Sequence, residues 1–431
     1  MIKNQTISFN TLGCRLNQAE TAVIENTFVD RGYTIVNFQQ PADVVVINTC
    51  TVTENGDADT RRLVNKINRL NPNAKIALIG CQAQVQKEQL AAMNNVKWII
   101  GNAAKMDLVS ILEKELEPEK AKVIAPAFSR ASFRHPAAGI DRHHTRANLK
   151  IQDGCDFFCS FCEIPYARGR ARSRVFEDIL LEARVLVAAG HKEIVLTGIN
   201  LGTYSDDKHR LLDVIKALMD VEGLLRIRIS SIEPTTIPDD LIALMKTNKK
   251  LCRHLHIPLQ SGNDKTLKVM KRKYTVAQYD EFIQKAFQEI PGICLGTDVI
   301  VGFPGESEED FKFTYEYLRD STLHYFHVFS YSERQMAKSQ YLLGRVDNEI
   351  IQERSQKLRQ LSQRKRELFY RSQLNTTQNI IFEEENDGLW SGFSDNYLKI
   401  TVKVDRNIKN ECLPVIFKEL QLAGKLRGDL V

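Results

Sequence analysis

The chain has 431 residues, 43% hydrophobic and 26% charged, with nine cysteines and a formal net charge of +5. Two to three domains are expected from that length, and no apolar run is long enough to span a membrane. The mild positive charge allows a nucleic-acid partner without requiring one, so where the charge lies matters more than its sum.

Met1-Ile2-Lys3-Asn4-Gln5 opens no apolar signal-type region, so a cytoplasmic protein with reduced thiols available for metal is expected. From Met1 to about Glu117, strand and helix patterns alternate. Ile7–Asn10 reads as a strand and Asn17–Arg31 as a helix, then Asp43–Ile47 as a strand and Asp57–Leu70 as a helix. Lys75–Ile79, a helix over Gln84–Met93, and Val96–Ile100 follow. Short β-branched runs between amphipathic helices predict a doubly wound parallel sheet. Cys14, Cys50 and Cys81 each fall just after a strand. Such a fold aligns those strand ends along one edge, where ligands bind. Topology would therefore gather three cysteines that are remote in sequence.

Residues 118–140, with Pro118, Pro126, Pro136 and Gly139, read as a linker. Arg130, Arg134, Arg142, Arg146 and Lys150 face a single acid, Asp141, a strip that would follow a phosphate backbone or simply be solvated. His135, His143 and His144 read as part of a solvated connector.

After the strand-like run Ala147–Gln152 comes Gly154-Cys155-Asp156-Phe157-Phe158-Cys159-Ser160-Phe161-Cys162. Structural zinc wants four closed ligands, commonly in pairs, and no second pair is evident nearby. Three thiolates instead hold three irons of a four-iron cubane; three buried apolar cysteines are the plain alternative. The spacing C-x3-C-x2-C resembles the signature of the radical S-adenosylmethionine (radical SAM) superfamily. That resemblance implies a fourth iron that chelates the cofactor's methionine, and a 5′-deoxyadenosyl radical released on reduction.

Residues 141–370 then carry about six βα units, expected to form an open (β/α)6 partial barrel with its chemistry at the strands' C-terminal ends. Thr197-Gly198-Ile199-Asn200, Ser230-Ser231-Ile232-Glu233, His256–Gly262 and Gly296–Glu306 all fall there. The resemblance implies cofactor contacts at Thr197, Gly198, Asn200, Ser231, Glu233, Gln260, Thr297, Asp298 and Ile300. Arg168, Arg170, Arg172 and Arg174 would meet RNA phosphates or the cofactor carboxylate. A second basic strip, Arg364-Lys365-Arg366 with Arg371, lies on a helical pattern over Asn348–Gln373. Phe329 and Tyr331 would stack on a base or fill the core. Cys252, Cys294, Cys412 and His327 read as structural.

From 371 to 431 short strands predict a five-stranded small antiparallel β-barrel. With eight Lys/Arg against nine Asp/Glu, this segment is not basic overall.

One cysteine per βα turn ahead of a radical SAM core resembles the radical SAM methylthiotransferase family. Thr11-Leu12-Gly13-Cys14-Arg15-Leu16-Asn17-Gln18-Ala19-Glu20 and Gly392–Tyr397 are similar to motifs of its threonylcarbamoyladenosine branch. The resemblance implies an N-terminal auxiliary-cluster domain (1–117), a radical SAM core (141–370) and an RNA-binding TRAM-like domain (371–431). It further implies two [4Fe-4S] clusters, one on Cys14, Cys50 and Cys81 and the other on Cys155, Cys159 and Cys162, through which these residues are catalytic. S-adenosylmethionine would give both methyl group and radical, and the product would be a methylthio group at C2 of threonylcarbamoyladenosine beside the anticodon. The expected partners are a tRNA anticodon stem-loop and an electron-donor protein, with the enzyme a monomer. Isopentenyladenosine tRNA, a ribosomal-protein aspartate, or a non-catalytic iron–sulfur RNA-binding role are the alternatives.

Overall fold

The computed structural model describes every residue except 1–4, 52–53, 116–117, 143 and 422–423, and the side chains of 54 and 55. His143 and the expected boundary at Glu117 therefore lie outside the described residues. Among the described residues, no helix is long and apolar enough to cross a membrane.

Val44-Val45-Val46-Ile47 explains the first layer. The four are 0–4% exposed, and alternate residues enter two different cores, Val44 and Val46 one, Val45 and Ile47 the other. A strand buried on both faces belongs inside a doubly covered parallel sheet. That sheet has six parallel strands: β1 (Thr6–Thr11), β2 (Thr34–Ile35), β3 (Val44–Thr49), β4 (Lys75–Gly80), β5 (Val96–Gly101) and β6 (Lys122–Ile124), in the order β2-β1-β3-β4-β5-β6. Helix Arg15–Asp30 gives Ile24 and Phe28 to one core, and Glu54–Leu70 gives Val64 and Ile67 to the other. Chain order reverses between β1 and β3, so a crevice opens at their carboxyl ends. β6 lies in the stretch expected to be linker. Its burial is modest, and the prolines around it hide it from pattern reading.

The second layer is the half-barrel. β7 (Ala147–Lys150) is followed by a short antiparallel pair, β8 (Gln152–Asp153) and β9 (Arg172–Ser173), which frames the three-cysteine loop. Then come β10 (Glu193–Thr197), β11 (Arg226–Ile229), β12 (His254–His256), β13 (Cys294–Val301) and β14 (Tyr325–Ser330). β7, β10 and β11 form one parallel sheet and β12, β13 and β14 another; parallel bridges Ile227–Leu251 and Ser231–His256 join them into an open six-stranded barrel. Along these strands Leu149, Leu196, Ile227, Leu255 and Val299 pack outward among the helices. Asn148, Lys150, Glu193, Arg228, His254, His256 and Asp298 take the opposite, lumen face. The lumen is thus polar.

The third layer is a closed barrel of β15 (Thr377–Asn386), β16 (Leu389–Phe393), β17 (Lys399–Lys403), β18 (Cys412–Leu420) and β19 (Leu426–Leu430), in the order β15-β16-β17-β19-β18. Four of its seams are antiparallel; β17 and β19 pair in parallel. Its core of Ile380, Phe382, Ile400 and Phe417 continues into Cys294, Tyr325, Phe369 and Tyr370. The small barrel therefore shares a core with the half-barrel. The loop after β16 enters the lumen floor: Arg228 donates to the Ser394 and Asp395 carbonyls (3.0 and 2.9 Å), Arg253 pairs with Asp395 (2.7 Å), and Tyr397 stacks on His254 at 4.5 Å. The Gly392–Tyr397 motif, expected on an RNA-binding module, is largely spent on this docking.

Candidate active site

The loop between β8 and β9 turns on Gly154, at φ +72°. A Cβ there would stand 2.1 Å from the Arg170 carbonyl oxygen, so only glycine fits. Cys155 N–H donates to Gly169 O (3.1 Å) and Cys162 N–H to Cys159 O (3.1 Å), folding the loop tightly. Burial pushes the Cys155 thiol up to about 11 and Cys162 up to about 12, and each feels its neighbouring thiols. Arg272 donates to Cys159 Sγ at 3.2 Å and pairs with Glu233. Three half-buried thiols on one loop, with a cation against them, fit a cluster of net negative charge. Sequence reading missed Arg272, which lies 113 residues from its sulfur partner.

The other trio gathers at the carboxyl edge of the parallel sheet. Cys14 immediately precedes helix Arg15–Asp30, Cys50 follows β3, and Cys81 opens the short helix Cys81–Val85. Gly13 lies at φ +91°, and a Cβ on it would meet Cys50 Sγ at 2.7 Å; the Cys14 turn therefore lies directly over Cys50. Cys14 is exposed, yet the protein around it desolvates its thiol and raises the pKa; Arg168 opposes that rise and Cys81 adds to it. Asn102 donates to both Cys81 Sγ (3.4 Å) and Ala167 O (2.7 Å), tying this edge to the radical loop's outgoing helix.

Between the trios lies a buried ionic network. Glu20 accepts from Lys105 (2.5 Å), Lys150 (2.6 Å) and Arg168 (2.9 Å), while Asp153 accepts from Lys150 (2.7 Å), Arg168 (3.0 Å) and Arg172 (3.1 Å). Burial alone would raise the pKa values of both acids, but Arg168 and the lysines hold them well below the carboxylate range. Four cations face two acids, an excess of two positive charges. That excess favours negative charge nearby, as thiolates at Cys14, Cys50 and Cys81 would supply. The run Arg168–Arg174 is accordingly not a free basic surface. Arg168 and Arg174 are 0% and 1% exposed, and Arg174 pairs with Asp178 and Glu182. Arg170 is the exposed one, paired with Asp156 and set over the Phe158 ring.

The residues expected to contact the cofactor divide into three groups. Thr197 and Asn200, at the end of β10, hold buried polar atoms without a partner (Oγ1 and Nδ2), as a site for a polar ligand requires. Ser231, Gln260, Asp298 and Ile300 are partly or fully open to the lumen; Gln260 sits at φ +72°. Glu233 is held by Arg272. The Thr297 hydroxyl is committed, donating to Ile257 O (2.7 Å) and accepting from Leu259 N–H (2.8 Å). Around Gly198 the space belongs to the protein itself, because a Cβ would meet Leu201 and Gln152 at 2.9 and 3.0 Å. Gln152, unforeseen, accepts from the Ile199 and Asn200 N–H groups (both 2.9 Å) and fixes that turn. His327 is exposed, and its donor atom lies within 4.8 Å of those of His256 and Asp298. His256 is pinned by Asp298 (2.9 Å) and Tyr325 (3.3 Å).

Phe329 is 40% exposed. With His327, Arg359 and Arg366 it lines a cavity of about 570 Å³ against helix Asn348–Ser372. The Tyr331 hydroxyl donates to Ser339 (2.9 Å), and its ring packs edge-on against Phe303 at 5.5 Å. Cys252 and Cys294 are buried, with thiols pushed up to about 12.

A half-barrel with three thiols on its first loop defines a radical SAM enzyme, and the Radical SAM superfamily model matches residues 149–318. The model described as uncharacterized protein family UPF0004 matches residues 6–101. The threonylcarbamoyladenosine tRNA methylthiotransferase MtaB of Aquifex aeolicus (strain VF5) is 39% identical, over 91% of this chain and 96% of its own. Its Bacillus subtilis (strain 168) namesake is 38% identical, over 92% and 90%. The tRNA-2-methylthio-N(6)-dimethylallyladenosine synthase of Carboxydothermus hydrogenoformans is 33% identical, over 81% and 82%. Among solved structures, the radical S-adenosylmethionine methyltransferase TsrM of Kitasatospora setae shares the fold (TM-score 0.56, 13% identity, 75% of this chain and 73% of that one). The chain belongs to the radical SAM methylthiotransferase family, and is an enzyme whose superfamily works with a [4Fe-4S] cluster and S-adenosylmethionine.

Proposed function

We propose that this enzyme adds a methylthio group to C2 of N6-threonylcarbamoyladenosine at tRNA position 37, with S-adenosylmethionine as both methyl donor and radical source. The observation that carries the reading is the pair of cysteine trios on facing loops, joined by a buried network whose excess positive charge suits thiolate clusters. Cys155, Cys159 and Cys162 hold the radical cluster, and Cys14, Cys50 and Cys81 hold the second. When bound, these groups supply the methyl and radical chemistry that an unactivated C–H bond demands.

The chain's own residues bind and orient. Thr197, Asn200, Ser231, Glu233, Gln260, Asp298 and Ile300 face the cofactor, with Gly198 and Thr297 shaping the frame behind them. Arg272 steadies Cys159 and Glu233 together. The lumen between the trios receives the base, splayed out of the anticodon loop as RNA-modifying sites require. Exposed Arg364, Arg366 and Arg371 support an RNA backbone nearby. The relatives of highest identity above carry the threonylcarbamoyladenosine name, which favours that branch over the dimethylallyl one. Mass spectrometry of tRNA nucleosides from a deletion strain tests this. Loss of 2-methylthio-threonylcarbamoyladenosine is expected, and its persistence would overturn the substrate assignment.

A further inference from the structure

Arg15 directly follows Cys14 and is the one cation of that motif. Its guanidinium donates to Tyr397 Oη (3.2 Å) and Asn148 Oδ1 (3.5 Å), both neutral groups. Among the described residues no carboxylate pairs with it. The cation acting on Cys14 is Arg168, so the cluster side already has its counter-charge. Arg15 acts on the lumen instead. Burial and Arg228 lower the His254 pKa, and Arg15 lowers it further. Burial would raise the Tyr397 phenol, but Arg15, Arg146 and Arg228 together pull it down.

The other cations of this floor are matched. Arg146 pairs with Glu383 (2.5 Å), Arg228 with Glu193 (2.6 Å) and Arg253 with Asp395 (2.7 Å). A half-buried guanidinium without an anion, held from behind by a phenol and an amide, is preorganised for a bidentate anionic ligand. Cys14, its neighbour in the chain, is exposed. An anion bound to Arg15 is thereby held by the residue next in the chain to the first thiol of the auxiliary trio.

We propose that Arg15 is a specificity residue that binds the carboxylate of the threonyl group on the target adenine, with Tyr397 and Asn148 positioning it. This rests on the threonylcarbamoyladenosine reading above. The group sits on N6, and C6 and C2 both flank N1, so an anion anchored at Arg15 fixes the base in its plane and with it the direction in which C2 points. A dimethylallyl group offers no such anion, and Arg15 would then separate the two substrate classes by charge.

The test compares two synthetic anticodon stem-loops, one with N6-threonylcarbamoyladenosine and one with its threonine methyl ester, using anaerobically reconstituted enzyme. Wild type should prefer the free carboxylate at least tenfold in kcat/KM, and Arg15→Gln should bring that ratio to about one, with Arg15→Lys between them. Iron per chain is read in the same samples. If Arg15→Gln keeps the wild-type preference, or loses iron and slows on both RNAs equally, Arg15 serves something other than the carboxylate and the inference fails alone. If wild type modifies neither stem-loop but accepts a dimethylallyl one, the substrate reading fails first and the inference falls with it.

Discussion

Glu20 is the residue on which the two halves of the site meet. Fully buried, it accepts from Lys105, Lys150 and Arg168, which come from the N-terminal sheet unit, the first barrel strand and the helix after the radical loop. Removing one partner of a buried ionic cluster costs about 3–5 kcal/mol, because the remaining charges stay desolvated. Glu20→Gln should destabilise the chain by about that much in urea unfolding; a loss under about 1 kcal/mol would mean that the cations find other partners. Gly13 gives a sharper residue-scale prediction. Its positive φ and the 2.7 Å approach to Cys50 Sγ leave no space for a methyl group. Gly13→Ala should therefore lower iron per chain by about half, sparing the loop at Cys155. Retention of full iron would show that the Cys14 turn can shift.

Cys155, Cys159 and Cys162 were legible because three ligands fall within eight positions of one loop. Glu20, Arg272 and Gln152 were not. Each looks like an ordinary helix or strand residue until the fold brings up a partner over a hundred positions away or, for Gln152, the next strand's turn. The arginines after the loop misled for a related reason: a basic run reads as surface unless the acids that bury it are visible, and those acids lie on other elements.

At the scale of elements, the docking of the small barrel into the lumen floor depends on Glu193. It accepts from Arg228 and Arg226 (2.6 and 3.5 Å), whose remaining donors hold the carbonyls of Phe393, Ser394 and Asp395. Burial would raise the Glu193 pKa, but Arg228 and its neighbours hold it at about 2, below the ordinary 4.5. A depressed carboxylate stabilises the fold above its unfolded pKa and loses that contribution as pH falls through its folded one. The gap in stability between wild type and Glu193→Gln should be constant above pH 4.5, at about 3 kcal/mol, and close towards pH 2. A gap that widens on acidification would contradict the assignment.

Strand and helix patterns placed most elements within a few residues. The exceptions have local causes. The helix expected over Gln84–Met93 divides at Gln86, whose φ of −122° is not helical. β6 hides among prolines. β19, Leu426-Arg427-Gly428-Asp429-Leu430, is polar enough to pass for a tail, and the closed barrel alone makes it a strand.

For the whole molecule, the two α/β units face each other through their carboxyl edges, and helix Arg15–Asp30 carries residues for both. Gln18 accepts from Asn148 of β7 (3.2 Å), while Cys14 at the same helix's start joins the auxiliary trio. The small barrel, sharing its core with Cys294 and Tyr325, closes the lumen floor. Periodic cysteines at successive strand ends made this convergence legible, since a parallel sheet must align them. The sealing of the floor was not legible, because it depends on Arg226, Arg228 and Arg253 meeting a loop some 140–170 positions onward.

The central claim, that two separate trios each hold a cluster and do different work, is tested most directly by the enzyme with Cys14, Cys50 and Cys81 all changed to alanine. After anaerobic reconstitution, iron and 5′-deoxyadenosine are read alongside methylthiolated nucleoside in one assay. About eight irons per chain in wild type should fall to about four, with deoxyadenosine still formed and the methylthio product gone. Wild-type iron content, or continued product formation by the variant, would contradict it.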